Sequence, residues 1–123
     1  MAALCILQGG TMKLIIAEKP SVALSIAKVV GASSRKDGYI QGNGYMVSWC
    51  VGHLIQMASP DKYDEKYAKW NLDDLPILPK DFKYEVSKNT KKQYGVLKKL
   101  LHLKEVDTVI NACDAGREGE LIF

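Results

Sequence analysis

The sequence predicts an α/β fold in which a parallel sheet is flanked by helices. Two apolar runs are typical of strands buried on both faces of such a sheet, one over residues 13–17 and one opening residues 108–112. A helix is predicted after the first run and another before the second, and this alternation is characteristic of parallel sheets. The carboxyl ends of both strands should then lie along one edge of the sheet, where α/β proteins bind their ligands.

The first helix follows the strand at 13–17 almost at once. Pro20 suits its first turn, because proline lacks the N–H group that would have no partner there. The apolar side chains recur at helical spacing, at Val22, Ala23, Ile26, Ala27 and Val30. Gly31 then supplies a typical stop signal.

A second, amphipathic helix is predicted over residues 90–103. Its apolar stripe consists of Tyr94, Leu97, Leu100 and Leu101. The lysines that face away from the stripe are Lys91, Lys92, Lys98 and Lys99. They belong to a basic segment, residues 80–104, with eight lysines against two acids in a chain whose net charge is +3. Such a segment either attracts a polyanion to a nearby site or is a solvated lysine face.

The middle of the chain predicts a β-hairpin followed by a proline-rich stretch. Residues 39–41 and 45–49 read as two strands joined by a glycine-containing loop. Residues 58–82 hold three of the four prolines and are expected to form short helical turns that cover one side of the sheet. Trp70 lies there among tyrosines and lysines, a pattern that indicates either a stacking surface for bases or amphipathic packing.

Composition limits the possible classes of protein. A chain of 123 residues fits one domain that buries most of its apolar surface without disulfides. The three cysteines share no close spacing, which argues against a disulfide framework or a zinc site and for a reducing cytosol. No apolar run reaches the roughly 18 residues of a membrane span. Residues 1–11 are interpreted as a leader or added extension that contributes little to the core.

Acidic residues stand at both strand-to-helix junctions. Glu18 follows the first strand, and Asp114 and Glu118 follow the second, four residues apart. Carboxylate oxygens are the ligands that Mg²⁺ prefers, and a few suffice because the ion keeps several waters. Arg117 could pair with these acids or bind a phosphate through two hydrogen bonds. The junctions therefore indicate either a magnesium site that acts on a phosphate group or a capping turn with ordinary surface acids.

Four motifs in a fixed order give the chain a resemblance to a known family. They are Glu18-Lys19-Pro20-Ser21, WCVGHL at 49–54, KWNLDDLP at 69–76 and DAGREGE at 114–120. Together they resemble the Toprim domain of type IA DNA topoisomerases, most closely the bacterial topoisomerase III branch, over residues 12–123. The resemblance implies a Rossmann-like Toprim sheet with a β-hairpin insertion, incomplete at its C-terminal end.

The resemblance also implies a function, that of a magnesium-dependent enzyme which cuts and rejoins single DNA strands to relax or decatenate DNA. The catalytic residues would be Glu18, Lys19, His53 and Arg117. The Mg²⁺ ligands would be Glu18, Asp114 and Glu118. The residues that contact single-stranded DNA would be Trp70, Lys19 and Arg117. Further topoisomerase domains would follow Phe123, and the protein would act in the bacterial cytoplasm, on the nucleoid.

Two departures from the family pattern bear on this function. Many Toprim domains carry a second aspartate two residues after the first, and because that position is Gly116 here, one magnesium ion is expected rather than two. The nucleophilic tyrosine of these enzymes lies in a later domain, so this chain alone is expected to be inactive for cleavage. A Toprim nuclease, a primase-like nucleotidyl transferase and a non-catalytic nucleic-acid-binding module remain as alternatives.

Overall fold

A computed structural model describes residues 4–6 and 11–123, with side chains in the second range only. The strands are β1 (Leu4–Ile6), β2 (Met12–Ala17), β3 (Ser34–Lys36), β4 (Tyr39–Gly42), β5 (Tyr45–Trp49), β6 (Ile55–Met57), β7 (Tyr84–Val86) and β8 (Val106–Ala112). The helices are α1 (Pro20–Val30), α2 (Lys91–Leu101) and α3 (Arg117–Ile122). Within the described ranges the main sheet has the order β1-β8-β2-β5-β4-β3, and β6 pairs with β7 in a separate small sheet.

The centre of the main sheet is parallel. Strand β2 lies between β8 and β5 and runs parallel to both. Strand β4 pairs antiparallel with β5, which confirms the predicted hairpin, and β3 extends it by one more strand. On the other side β1 pairs antiparallel with β8, so part of the predicted leader forms the edge of the sheet. The expectation that the leader adds little to the core concerns side chains outside the described residues.

Helices cover both faces of the sheet, as the α/β prediction requires. One face packs against α1, around Ile15, Ala17, Ala23, Ala27, Ala32, Ile40 and Val47. The other packs against α2, around Leu14, Ile16, Met46, Cys50, Leu54, Leu97, Leu100, Val106 and Val109. Because side chains alternate along a strand, the apolar run of β2 supplies both clusters, and this explains why the run is continuous.

Helix α1 begins and ends where the sequence predicts. Pro20 is its first residue. Ala23 and Ala27 are buried against the sheet, and their small side chains let the helix approach closely. Gly31 follows the last turn with a φ of 78°, in the left-handed region that favours glycine, and Ala32 donates its N–H to the Ala27 carbonyl.

A buried polar contact fixes α2 to the sheet. The Nε2 atom of Gln93 is directed at three acceptors, which are the carbonyl of Trp49 at 2.8 Å, the carbonyl of Gly38 at 3.1 Å and the hydroxyl of Ser48 at 3.1 Å. The Ser48 side chain is fully buried and donates to the Gly38 carbonyl at 2.8 Å. Gln93 therefore satisfies partly buried polar atoms at the end of β5.

The stretch 58–82 differs from its prediction. It does form short helical turns, at Pro60–Lys62, Glu65–Ala68 and Leu72–Asp74. It does not cover the sheet, because none of residues 59–82 is buried and the exposed fraction of Trp70 is 92%. Strands β6 and β7 pair with each other outside the main sheet, and the helical turns lie in the segment that connects these two strands.

In the described part of the chain, no helix has both the length and the apolar character to cross a bilayer.

The Gln93 contact yields a test of how α2 is held. We expect Gln93→Met to lower the free energy of unfolding by about 1–3 kcal/mol, because methionine keeps the length of the side chain but removes the donor of the Trp49 carbonyl. Urea unfolding followed by circular dichroism measures the change. Gln56→Met, at an exposed position of β6, is the matched control. Equal stability of the two variants would contradict a stabilising role for the contact.

Candidate metal centre

The parallel strands β5, β2 and β8 end in register at one edge of the sheet. Trp49, Ala17 and Ala112 lie side by side in the last row of paired residues. The residues that come next along the three strands are Cys50, Glu18 and Cys113. Neighbouring strands are about 4.8 Å apart, so the segment that carries Asp114 starts beside Glu18. Segments almost a hundred positions apart in the sequence thus leave the sheet at this same edge.

Two thiols flank Glu18 across the sheet edge. Burial, followed by the electrostatic influence of Cys113 and Glu18, raises the pKa of the Cys50 thiol to about 12. Burial is also the main cause of the raised pKa of Cys113, followed by the charges of Glu18 and Asp114. Both thiols therefore stay protonated at neutral pH and are poor metal ligands and poor nucleophiles. Sequence reasoning missed their place in the site, although both directly follow an apolar strand.

Lys19 and Arg117 stand at the starts of the two helices that leave this edge. Lys19 precedes α1 with an extended backbone, and its carbonyl accepts the N–H of Ala23 at 3.2 Å. Arg117 is the first residue of α3. Both side chains are exposed, and among the described residues neither forms an ion pair. Two cationic groups are thus free to contact a ligand at the edge that carries Glu18.

The turn between β8 and α3 depends on Gly119. The N–H of Gly116 donates to the carbonyl of Asp114 at 2.8 Å, and the N–H of Glu120 donates to the carbonyl of Gly116 at 3.0 Å. Gly119 is buried, and a Cβ atom there would overlap the Asp114 carbonyl. The missing side chain lets α3 lie directly on the turn, which holds Asp114 and Glu118 at the same edge of the sheet.

His53 connects the segment after β5 to α3. Its Nε2 atom lies 3.0 Å from Oε1 of Glu118, a carboxylate that can only accept the hydrogen bond. His53 follows Gly52, whose φ of 72° lies in the left-handed region that favours glycine. The exposed fractions of the two side chains are 40% and 76%, so the contact lies at the surface. The structure therefore brings His53 and Glu118 together, although 65 positions separate them in the sequence.

Other predicted site residues are not gathered into one group. Over the described residues, no three or more His, Cys, Asp or Glu side chains are arranged closely enough to hold a metal ion. Glu18 is half-buried, whereas Asp114 and Glu118 are exposed. Trp70 lines a different cavity, of about 190 Å³, with Tyr67 among its other walls. The three carboxylates thus share an edge without forming a closed site.

The chemistry of these donors fits a hard divalent cation. Glu18, Asp114 and Glu118 offer carboxylate oxygens, and the thiols beside Glu18 are protonated. Exposure of two of the carboxylates leaves room for water, and Mg²⁺ retains several waters when it binds proteins. A closed cage of protein ligands is therefore not required for this ion.

A family model for the Toprim domain matches residues 13–123. The chain belongs to the Toprim domain family. Proteins of this family bind divalent metal ions, which agrees with the donor chemistry at the sheet edge. The Rossmann-like parallel sheet predicted from the resemblance is therefore confirmed.

Bacterial proteins named DNA topoisomerase 3 are similar to this Toprim chain. The protein from Bacillus anthracis is 51% identical over 108 residues, which cover 88% of this chain and 15% of that protein. Those from Shouchella clausii and Staphylococcus epidermidis are 46% and 47% identical, and each match covers 89% of this chain and 15% of the relative. The chain thus spans about one seventh of the length of these relatives.

The close approach at Gly119 can be tested with a second glycine as its control. We expect Gly119→Ala to push α3 away from the Asp114 turn, because the new methyl group has no space. Hydrogen exchange at the amides of Glu120 and Phe123, which bond within this turn and helix, should become faster.

Gly95→Ala in α2 is the matched control. A Cβ atom at Gly95 meets nothing within 4 Å, and alanine is the better helix former, so this variant should be as stable as the parent or more so. Unchanged exchange at Glu120 and Phe123 in Gly119→Ala would show that α3 does not need the close approach.

Proposed function

We propose that this chain is the Toprim part of a magnesium-dependent type IA DNA topoisomerase of the topoisomerase III branch, which cleaves and rejoins single DNA strands. One observation carries the proposal. Glu18 and the segment of Asp114 and Glu118 leave neighbouring parallel strands at the same edge of the sheet. The similarity to proteins named DNA topoisomerase 3 favours this activity over that of a Toprim nuclease or a primase.

Glu18, Asp114 and Glu118 are the proposed Mg²⁺ ligands. Their carboxylate oxygen donors support magnesium over a softer metal. When bound, the ion supplies neutralisation of the charge that develops on the scissile phosphate. His53 holds the Glu118 carboxylate through its hydrogen bond, and it therefore acts as a positioning residue.

The remaining site residues act on DNA directly. Lys19 and Arg117 bind the phosphate at the sheet edge, and their freedom from ion pairs among the described residues supports this role. Glu18 lies nearest the two strand ends and transfers a proton to or from the reacting oxygen. Trp70 stacks on an unpaired base, a role that fits the 92% exposure of its side chain.

Strand cleavage needs a tyrosine hydroxyl as nucleophile. We place that tyrosine in the domains that follow residue 123 in the whole enzyme, since this chain spans 15% of its relatives. The Toprim chain alone then binds metal and DNA without cleaving. A bacterial enzyme of this type works in the cytoplasm, on the nucleoid.

A chimeric enzyme tests the proposed activity. The matching segment of the Bacillus anthracis protein is replaced by residues 13–123 of this chain, and relaxation of negatively supercoiled plasmid is measured with Mg²⁺. We expect the chimera to relax DNA. Glu18→Gln in the chimera should lower the rate about 100-fold or more, because it removes a group that contacts the reacting phosphate.

Glu65→Gln, at an exposed acid outside the site, is the control for the chimera and should leave the rate unchanged. A folded chimera without relaxation activity would refute the topoisomerase assignment. Equal rates for Glu18→Gln and Glu65→Gln would refute the role of Glu18.

The single-metal site can be tested at Gly116. Its backbone is extended, with a φ of −151°, and a Cβ atom there meets nothing within 4 Å, so an added side chain fits without strain. We expect Gly116→Asp to strengthen Mg²⁺ binding or to raise its stoichiometry from one to about two, since it adds a carboxylate to the turn. Isothermal titration calorimetry measures both quantities. Gly116→Asn has the same shape without the charge, and equal binding by both variants would argue against a metal at this turn.

A further inference from the structure

A polar groove lies between the small sheet of β6 and β7 and the start of α2. Its volume is about 570 Å³. Three lysines line it, namely Lys62, Lys88 and Lys91. Ser59, Ser87 and Asn89 add hydroxyl and amide groups that can donate hydrogen bonds. The groove differs in its residues from the sheet edge that carries Glu18 and from the cavity that Trp70 lines.

The lysines of this groove form no ion pair within the described part of the chain. The ion pairs found there are His53–Glu118 and Lys92–Asp37, so Lys62, Lys88 and Lys91 belong to neither. Lys92, next to Lys91 in α2, bonds to Asp37 at 3.1 Å and is thus already neutralised. The groove therefore presents the unpaired cations of this region to solvent.

Two carboxylates limit the charge of the groove. Asp61 and Glu85 also line it, and a hydrogen bond from Ser59 lowers the pKa of Asp61, which keeps that group ionised. The lining thus has a surplus of one positive charge. A phosphodiester carries one negative charge, which matches this surplus. A triphosphate carries several negative charges, which the two carboxylates of the groove would repel.

Leu54 connects the groove to the segment that reaches the candidate metal centre. The carbonyl of Leu54 accepts the N–H of Ser87 and the hydroxyl of Thr90, both at 3.0 Å. Leu54 directly follows His53, which contacts Glu118 at the metal centre. Strand β6 begins at the next residue and leads toward the groove over three residues, or about 10 Å. Gln56, the middle residue of β6, lines the groove itself.

We propose that this groove binds a backbone phosphodiester of the same single-stranded DNA that lies at the metal centre. Lys88 and Lys91 contact the phosphate, and Ser87 and Asn89 donate hydrogen bonds to it. The inference rests on the proposed function, because it takes DNA as the ligand of the sheet edge. It adds a second point of attachment that orients the strand relative to Glu18.

Two double variants of the whole chain with equal change in charge test the proposal. The groove variant is Lys88→Ala with Lys91→Ala, and the control is Lys99→Ala with Lys104→Ala, which removes two exposed lysines outside the groove. Binding of a fluorescent oligo(dT) of about 16 nucleotides is measured by anisotropy in EDTA over a series of salt concentrations. EDTA chelates divalent metal ions, so metal binding at the sheet edge does not contribute to the measured DNA affinity.

The groove variant should bind several-fold more weakly than the control. Its plot of log affinity against log salt should also be shallower by about 0.7, since one phosphate contact on a single strand contributes about that much to the slope. Lys88→Arg with Lys91→Arg keeps the charge and should restore both quantities. These lysines are exposed and carry no ion pair among the described residues, so their loss should leave the fold intact.

Equal affinity and equal slope for the groove and control variants would overturn the inference, because only net charge would then matter. Failure of the parent chain to bind oligo(dT) would also overturn it. The chimera tests the proposed function separately. If the chimera relaxes plasmid DNA while the groove variant binds oligo(dT) as the control does, the proposed function stands and the groove inference fails.

Discussion

The parallel pairing of β2 with β8 is the constraint on which the rest of the site depends. It sets Ala17 beside Ala112, and every residue that follows these two strands inherits that register. No hydrogen bond joins Glu18 to Asp114 among the described residues, so their shared edge depends on the backbone pairing of the two strands and on the turn at Gly119. A one-residue slip of either strand would turn its side chains to the opposite face and separate the acids. The buried apolar side chains on both faces of β2 oppose such a slip.

Much of this arrangement follows from patterns in the sequence. The limits of α1 could be predicted because Pro20 and Gly31 act through their own backbone chemistry, whatever surrounds them. The continuous apolar run of β2 indicates burial on both faces, which a central parallel strand requires. The approach of Glu18 to the Asp114 turn could be expected from the general position of sites in parallel sheets, once both runs were taken as neighbours.

Other features depend on contacts that no local pattern specifies. From the sequence, Gln93 is only a polar residue on a lysine-rich helix. In the fold its side chain forms hydrogen bonds at the end of β5, because the Gly38 carbonyl and the Ser48 hydroxyl lie next to it. The aromatic residues of the stretch 58–82 do not by themselves predict whether the stretch covers the main sheet or lies away from it. The pairing of β6 with β7, which are short and far apart in sequence, decides between the two. The lysine groove depends on that same pairing.

The protonated thiols beside Glu18 have a consequence for the chemistry of the living cell. Peroxides and electrophiles attack the thiolate form of cysteine, and a raised pKa removes that form at neutral pH. Cys50 is buried as well, so its sulfur is both unreactive and shielded. The raised pKa of both thiols thus lowers their reactivity toward peroxide at the edge that carries the carboxylates.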